Sequence, residues 1–393
     1  MLTHLDALTC ALGERGVRSW VAAPPGSLKR LRWRLQASGQ AVGPCEPGGG
    51  RDGPAMGGPA PGPLGLSLPL GDGFRPWSDL QAVRVLRQLV AHWEPDVVHA
   101  HGHKAALTAA VALRAVPFRR RPALVVTVHN FLPARRRAAL RRVERWAAAR
   151  ALAVADRVIA VSRILEEFVR ELPIPCGANG RLRVIPNGLD PRRLPVEGPQ
   201  GQEPFPEAPE SGTFVVVCVA RLTPLRGLPE VIEAAALAAR EVEGLRVWVV
   251  GDGPLRSTLI GQAKRLGLSG RVHFTGHQAD PLQLAALVGH AGAAVLPWLR
   301  EGASYSALEA MAMGVPVIAF DCPGARELVP ADAGILVPPQ DVQALAAAMV
   351  CLAASPERRR RLALGARRAV AGRTAERMAQ QTLAVYREVA PRL

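Results

Sequence analysis

Glu301 and Glu309 are separated by seven residues in the stretch Arg300-Glu301-Gly302-Ala303-Ser304-Tyr305-Ser306-Ala307-Leu308-Glu309-Ala310-Met311-Ala312-Met313-Gly314-Val315-Pro316-Val317. The run before it ends as a strand at Leu296-Pro297, so Glu301 falls on a loop and Glu309 on the helix behind it. The first turn of that helix leaves amides near Ser304 to Ser306 without intrahelical partners, which makes an anion site. Two carboxylates beside an anion site are unfavourable unless hydroxyl donors satisfy them. A sugar nucleotide meets both demands, because it carries hydroxyls at each end of its diphosphate. Taken singly, either glutamate also reads as a surface residue or as a helix-start acid that complements the dipole.

Two cations stand where such a ligand would need them. After the strand ending at Val219 comes Ala220-Arg221-Leu222-Thr223-Pro224-Leu225-Arg226-Gly227, leading into a helix. Forked guanidiniums at a helix start suit a phosphate-rich ligand, although two arginines alone are ordinarily solvated. The next strand is followed by the tight turn Gly251-Asp252-Gly253-Pro254, again a weak signal by itself.

Other residues invite different chemistry. His99-Ala100-His101-Gly102-His103 alternates histidines at a strand end, and a His-x-His metal site is one reading. That site requires ligands after other strands, and only His129 offers itself. The expected metal complement is therefore none, with the histidines read as a polar strand end lining a cleft. Arginine runs at Arg119-Arg120-Arg121, at Arg135-Arg136-Arg137 with Arg141-Arg142, and at 358–361 raise nucleic acid as a partner. Aromatics form only 4% of the chain and no stacking motif interleaves with these runs, so no nucleic-acid partner is expected.

The elements that must position these residues alternate along the chain. Val/Ile-rich runs such as Val97 to His99, Leu124 to Val128, Phe214 to Val219, Ala293 to Leu296 and Val315 to Ala319 are interleaved with alanine-rich helical segments. Such alternation implies parallel sheets covered by helices, and more than ten strands argue for two sheets. A chain of 393 residues, 49% hydrophobic and 21% charged, is large enough for two domains and excludes wholesale disorder. The expected organisation is an N-terminal domain over 1–195 with a Gly/Pro-rich loop at 39–73, a linker at 196–212, and a C-terminal domain over 213–375. A last helix over 376–393 is expected to pack back on the first domain.

Six cysteines with no Cys-x-x-Cys pair exclude a disulfide framework or thiolate zinc site from spacing. No apolar run is long enough to span a bilayer and no basic-then-apolar leader follows Met1, so a cytoplasmic protein is expected. The net charge of +16 is lopsided: 29 Lys and Arg against 14 Asp and Glu through Pro195, then 20 against 19. Only Lys29, Lys104 and Lys264 are lysines, so arginine-rich composition accounts for part of this excess. The asymmetry leaves peripheral contact with an anionic membrane as the expected use of the basic half.

With these pieces assembled, the chain resembles the retaining glycosyltransferases of family 4, which have the two-domain GT-B fold. The E-x7-E signature matches Glu301 and Glu309 inside REGASYSALEAMAMGVPVIA. VARLTPLRG, VVGDGP, RVHFTGH, CPGARELV and Gly334 to Pro339 extend the match, and DVVHAHGHKA, VVTVHN, ADRVIAVS and VIPNGLD carry it through the first half. The resemblance implies an α/β fold of two Rossmann-like, doubly wound parallel-sheet domains facing a cleft. It implies that Arg221 and Arg226 neutralise a nucleotide diphosphate, with Arg226 standing where a lysine is usual. Glu309 would hold the ribose, Glu301 the donor sugar, and Gly302, Ala303 and Ser304 would offer amides. His129 would reach the sugar and phosphate from the other domain.

The same resemblance implies a hexose-type donor, an acceptor in the envelope, in polysaccharide or among small metabolites, and retention by front-face attack. No Asp-x-Asp motif occurs, so neither metal nor other cofactor is expected. The alternative within the family is a catalytically impaired sugar-nucleotide binder. Its motive is that Met1 to Gly13 already reads as the helix following the family's first strand, which is expected to be missing together with its glycine-rich loop.

Overall fold

The structure, a computed structural model, describes residues 2–24, 64–68, 75–132, 138–174, 180–190, 212–278 and 281–391. Most of the 39–73 stretch, nearly all of the 196–212 linker and Arg135 to Arg137 lie outside the described residues. The chain falls into two compact units, one comprising Met1–Gly188 with Arg373–Leu393, the other Leu189–Gly372. Among the described residues, no helix is long and apolar enough to cross a membrane.

The second unit holds six parallel strands: β7 (Phe214–Val219), β8 (Leu245–Val250), β9 (Val272–Gly276), β10 (Ala293–Leu296), β11 (Val317–Phe320) and β12 (Gly334–Val337). Their order across the sheet is β12-β11-β10-β7-β8-β9. From β7 the chain winds outward through β8 and β9, then returns to lay β10 on the other side of β7. Adjacent strands whose connections leave in opposite directions open a crevice at their carboxyl ends, the usual ligand position of a doubly wound sheet.

Period-two alternation builds two cores from one strand, since successive side chains point to opposite faces. Val216 and Cys218 of β7 join Val247 and Val249 on one face, whereas Val215 and Val217 join Trp248 and Val250 on the other. Helices cover both faces, so these strands are apolar throughout.

In the first unit, β3 (Val97–His101), β4 (Ala123–Val128), β5 (Arg157–Ala160) and β6 (Leu182–Val184) form a four-stranded parallel sheet in sequence order. A second sheet pairs β1 (Trp20–Ala23) with β2 (Leu64–Ser67), in register from Trp20 opposite Leu64. The strand β2 lies inside the stretch expected to be a loop. Its Leu-Gly-Leu-Ser alternation is only four residues long and is masked by surrounding glycine and proline.

One face of the four-stranded sheet is covered by two helices distant in sequence. Ala7, Leu8, Ala11 and Leu12 of Leu2–Gly13 pack with Met378, Leu383 and Tyr386 of Ala375–Val389 over Val125, Ile159 and Ile185. Both helices present apolar residues at the three- and four-residue spacing that makes a continuous stripe. Thr374 caps the later helix by accepting a hydrogen bond from the Arg377 amide at 3.2 Å.

Candidate functional site

In the second unit, the loops after β7 and β10 carry the residues the sequence singles out. The Arg226 guanidinium lies 2.6 Å from a Glu301 carboxylate oxygen, with side-chain exposures of 31% and 9%. The other Glu301 oxygen accepts the Gly302 amide at 3.1 Å. Both carboxylate oxygens are thereby engaged, which keeps the nearly buried charge compensated.

Backbone packing fixes this loop from two sides. A Cβ on Gly227 would collide with the Pro297 carbonyl, and one on Gly324 with the carbonyl of Glu301 itself. Gly227 also has φ +60°, in the left-handed region. Glycine is required at both positions, and the two contacts hold Glu301 where Arg226 meets it.

The helix Tyr305–Ala312 begins beside Glu301. Ser304 caps it, accepting the Ala307 amide at 3.3 Å and lying 2.9 Å from the Ser306 hydroxyl. It ends in a Schellman turn: the Gly314 amide donates to Met311 and the Val315 amide to Ala310, with Gly314 at φ +76°. The Gly-Val-Pro signature is thus the stop that turns the chain into β11. Glu309 is half-buried in the second turn, where its charge and burial push the Tyr305 phenol above its ordinary range, burial being the larger cause.

The loop after β7 is held by its neighbour after β8. Gly253 packs so closely on Leu222 that an added Cβ would lie 2.5 Å from the Leu222 carbonyl. The Leu222 amide donates to Asp252, and the Leu255 amide returns to Leu222. This backbone contact gives the GDGP turn its glycines. Arg221 is exposed beside it. The structure therefore brings Arg226, Glu301, Gly302, Ala303, Ser304 and Glu309 onto adjoining segments, with Arg221 on the same loop after β7 as Arg226.

His129 belongs to the first unit, just beyond β4, and is 7% exposed. Its Nε2 lies 3.0 Å from Nδ1 of His101, the last residue of β3. The His4 ring sits edge-on to His129 with centroids 4.6 Å apart, and its Nδ1 is 3.0 Å from the Asn187 amide oxygen. The His99 ring lies against His101 with centroids 4.1 Å apart and planes tilted by 31°, while its nitrogens meet the Tyr386 hydroxyl at 2.6 Å and the Thr127 hydroxyl at 2.7 Å. Burial lowers His4 to about 4, His99 to about 3, and both His101 and His129 well below the ordinary imidazole range. The four rings are neutral near pH 7.

Sequence reasoning overlooked His4, Asn187 and Tyr386 as members of this cluster. A single histidine on an apolar helix carries no spacing signal, and its partner Asn187 is 183 positions away.

Known proteins resemble both units. The family model Glycosyl transferases group 1 matches residues 200–369, and the model Glycosyltransferase Family 4 matches residues 1–193. The chain is 31% identical over 284 residues to glycogen synthase of Mycobacterium tuberculosis, covering 70% of this chain and 64% of that one. It is 34% identical over 207 residues to the GDP-mannose-dependent alpha-(1-6)-phosphatidylinositol monomannoside mannosyltransferase of Mycolicibacterium smegmatis, covering 50% and 52%. The match thus spans less than two thirds of either relative's length. Among solved structures, Anabaena HepE in complex with UDP-glucose superposes with a TM-score of 0.73 at 20% identity, covering all of this chain and 96% of that one. The two parallel-sheet units have the GT-B fold, and the chain belongs to the group 1, family 4 glycosyltransferases.

Proposed function

We propose that the protein transfers a hexose-type sugar from a nucleotide diphosphate sugar to an acceptor hydroxyl with retention of configuration. The observation that carries this reading is the Arg226–Glu301 pair at the mouth of the Ser304-capped helix. It offers a cation for the diphosphate and a carboxylate for sugar hydroxyls within one fixed loop. HepE, which shares the fold, was solved with UDP-glucose, and the mycolicibacterial relative is named for a GDP-mannose donor.

In this reading the bond from the anomeric carbon to the β-phosphate oxygen breaks while the acceptor oxygen bonds to that carbon on the same face. The acceptor proton passes to the departing phosphate oxygen, so no protein nucleophile is consumed. Arg221, Arg226 and the amides of Gly302, Ala303 and Ser304 stabilise the leaving charge. Glu309 accepts hydrogen bonds from the ribose, Glu301 from the donor sugar, and neutral His129 contacts the sugar and phosphate. With leaving-group charge carried by arginines and amides, transfer proceeds without a metal or other cofactor. A panel of sugar nucleotides scored for binding and for slow donor hydrolysis tests the reading. Absence of binding by every member would overturn it.

One observation favours a second reading, a sugar-nucleotide binder with impaired transfer: His129 is buried against His4 and His101 rather than exposed. Tight donor binding without turnover would select it.

Location follows from the basic half. The helix Ala138–Ala153 exposes Leu140, Val143 and Trp146 among Arg141, Arg142 and Arg150, a pattern that supports peripheral docking on the anionic cytoplasmic face of a membrane. Docking predicts partition to anionic vesicles and release by salt. Equal partition to neutral vesicles would refute it.

A further inference from the structure

We propose that His4, His101 and His129 form a three-imidazole site for a transition metal ion of the zinc class. One nitrogen from each ring lies within 4.8 Å of the others, and the His101–His129 pair is already at 3.0 Å. Zinc–nitrogen bonds of about 2.0–2.1 Å in tetrahedral geometry put ligand nitrogens roughly 3.4 Å apart. Ring rotations over about an ångström bring the three to that spacing, with the fourth position left to water or an anion.

The surroundings orient the rings as metal ligands are oriented. Asn187 offers an amide oxygen to His4 Nδ1, and an amide oxygen only accepts, so Nδ1 carries the proton and Nε2 is the unprotonated nitrogen of that ring. His101 ends β3 and His129 follows β4, strands paired with His101 opposite Thr127, so two ligands stand on a hydrogen-bonded frame. The Gly102 amide ties the end of β3 back to the Thr127 carbonyl at 2.8 Å.

Two nearby histidines stand outside this group of three. His99 uses both nitrogens on Tyr386 and Thr127 and packs against the His101 ring. His103 Nε2 donates to the Asn130 carbonyl.

An all-nitrogen donor set with no carboxylate selects zinc, copper, nickel or cobalt and rejects magnesium and calcium, which take oxygen ligands. Metal bound here occupies His129 and so inhibits transfer. That last clause rests on the proposed function; the site itself does not.

The test uses the untagged full chain, stripped with chelator and titrated with Zn2+, Co2+ and Mg2+. Wild type is expected to take up one Zn2+, to give the visible d–d bands of four-coordinate Co2+, and to ignore Mg2+. His4→Phe and His101→Phe, checked for folding by circular dichroism in chelator, lose both signals. Asn187→Ala weakens Zn2+ roughly 10–100-fold. His92→Ala, on an exposed helix position, changes nothing.

Absence of the Co2+ bands in wild type overturns the proposal whatever the variants do. So does Zn2+ uptake by folded His4→Phe equal to that of wild type. Zn2+ uptake that leaves a measured transfer rate unchanged supports the site and removes His129 from the transfer step, so the two readings fail separately.

Discussion

The two units solve the same problem in opposite ways. Each collects polar side chains at the carboxyl ends of parallel strands, where the sheet's own hydrogen bonds have stopped. The second unit joins full charges, Arg226 to Glu301, and leaves the guanidinium 31% exposed. The first unit buries or half-buries uncharged rings and bonds them to one another, to Asn187 and to two hydroxyls. A charged, partly wet pair can exchange partners with an incoming anion. A dry, neutral cluster offers lone pairs instead, which suits a cation or a sugar hydroxyl.

The contrast is sharpest at Arg226. Arg226→Ala should lower transfer by about a hundredfold or more, because in the proposed reaction it removes a donor to the leaving phosphate, and it strands Glu301 without its cation. Initial rates together with calorimetric donor binding read the loss, and an unchanged donor affinity would take Arg226 out of the site. Backbone closeness predicts the next largest effect. Gly324→Ala places a methyl group against the Glu301 carbonyl and should cost about 2 kcal/mol or more. Hydrogen exchange should show the loosening confined to the second unit.

Glu309→Ala should weaken nucleotide binding about tenfold, the effect of losing hydrogen bonds to a carboxylate, while the melting temperature stays put. Equal loss of binding for ribose- and deoxyribose-containing nucleotides would remove the ribose from its role. The smallest effect is expected on the other side of the comparison. Tyr386→Phe deletes one hydroxyl from half-buried His99 and should destabilise the first unit by about 1 kcal/mol without changing nucleotide affinity. A change in that affinity would show that the two centres do not act separately.

How much of this could be read from the chain depends on how local each signal is. Phe214 to Val219 and Ala293 to Leu296 are strands over the spans their apolar runs suggest, because a strand buried on both faces needs only a continuous run. Glu301, Ser304 and Glu309 share one loop and one helix, so their proximity is written in their spacing. The Arg226–Glu301 bond joins positions 75 residues apart and depends on β7 lying beside β10, a matter of sheet order. His4 is more hidden still. Its meaning comes from a helix laid across a sheet whose strands begin ninety positions later, beyond any periodicity. The strand β2 was illegible for another reason, since four residues of weak alternation cannot stand out against glycine and proline.

The helix Ala375–Val389 belongs to the unit that the chain enters first, and this sets an order of events during synthesis. As the polypeptide emerges, residues through Gly188 appear with Ile159, Ile185 and His99 still lacking the cover that Met378, Leu383 and Tyr386 provide. The 189–372 segment is continuous and has every strand of its sheet before that helix is made. The half that starts first is therefore completed last, and a chain released after Gly372 would hold one unit complete in sequence and one with an open apolar face, a natural client for a chaperone.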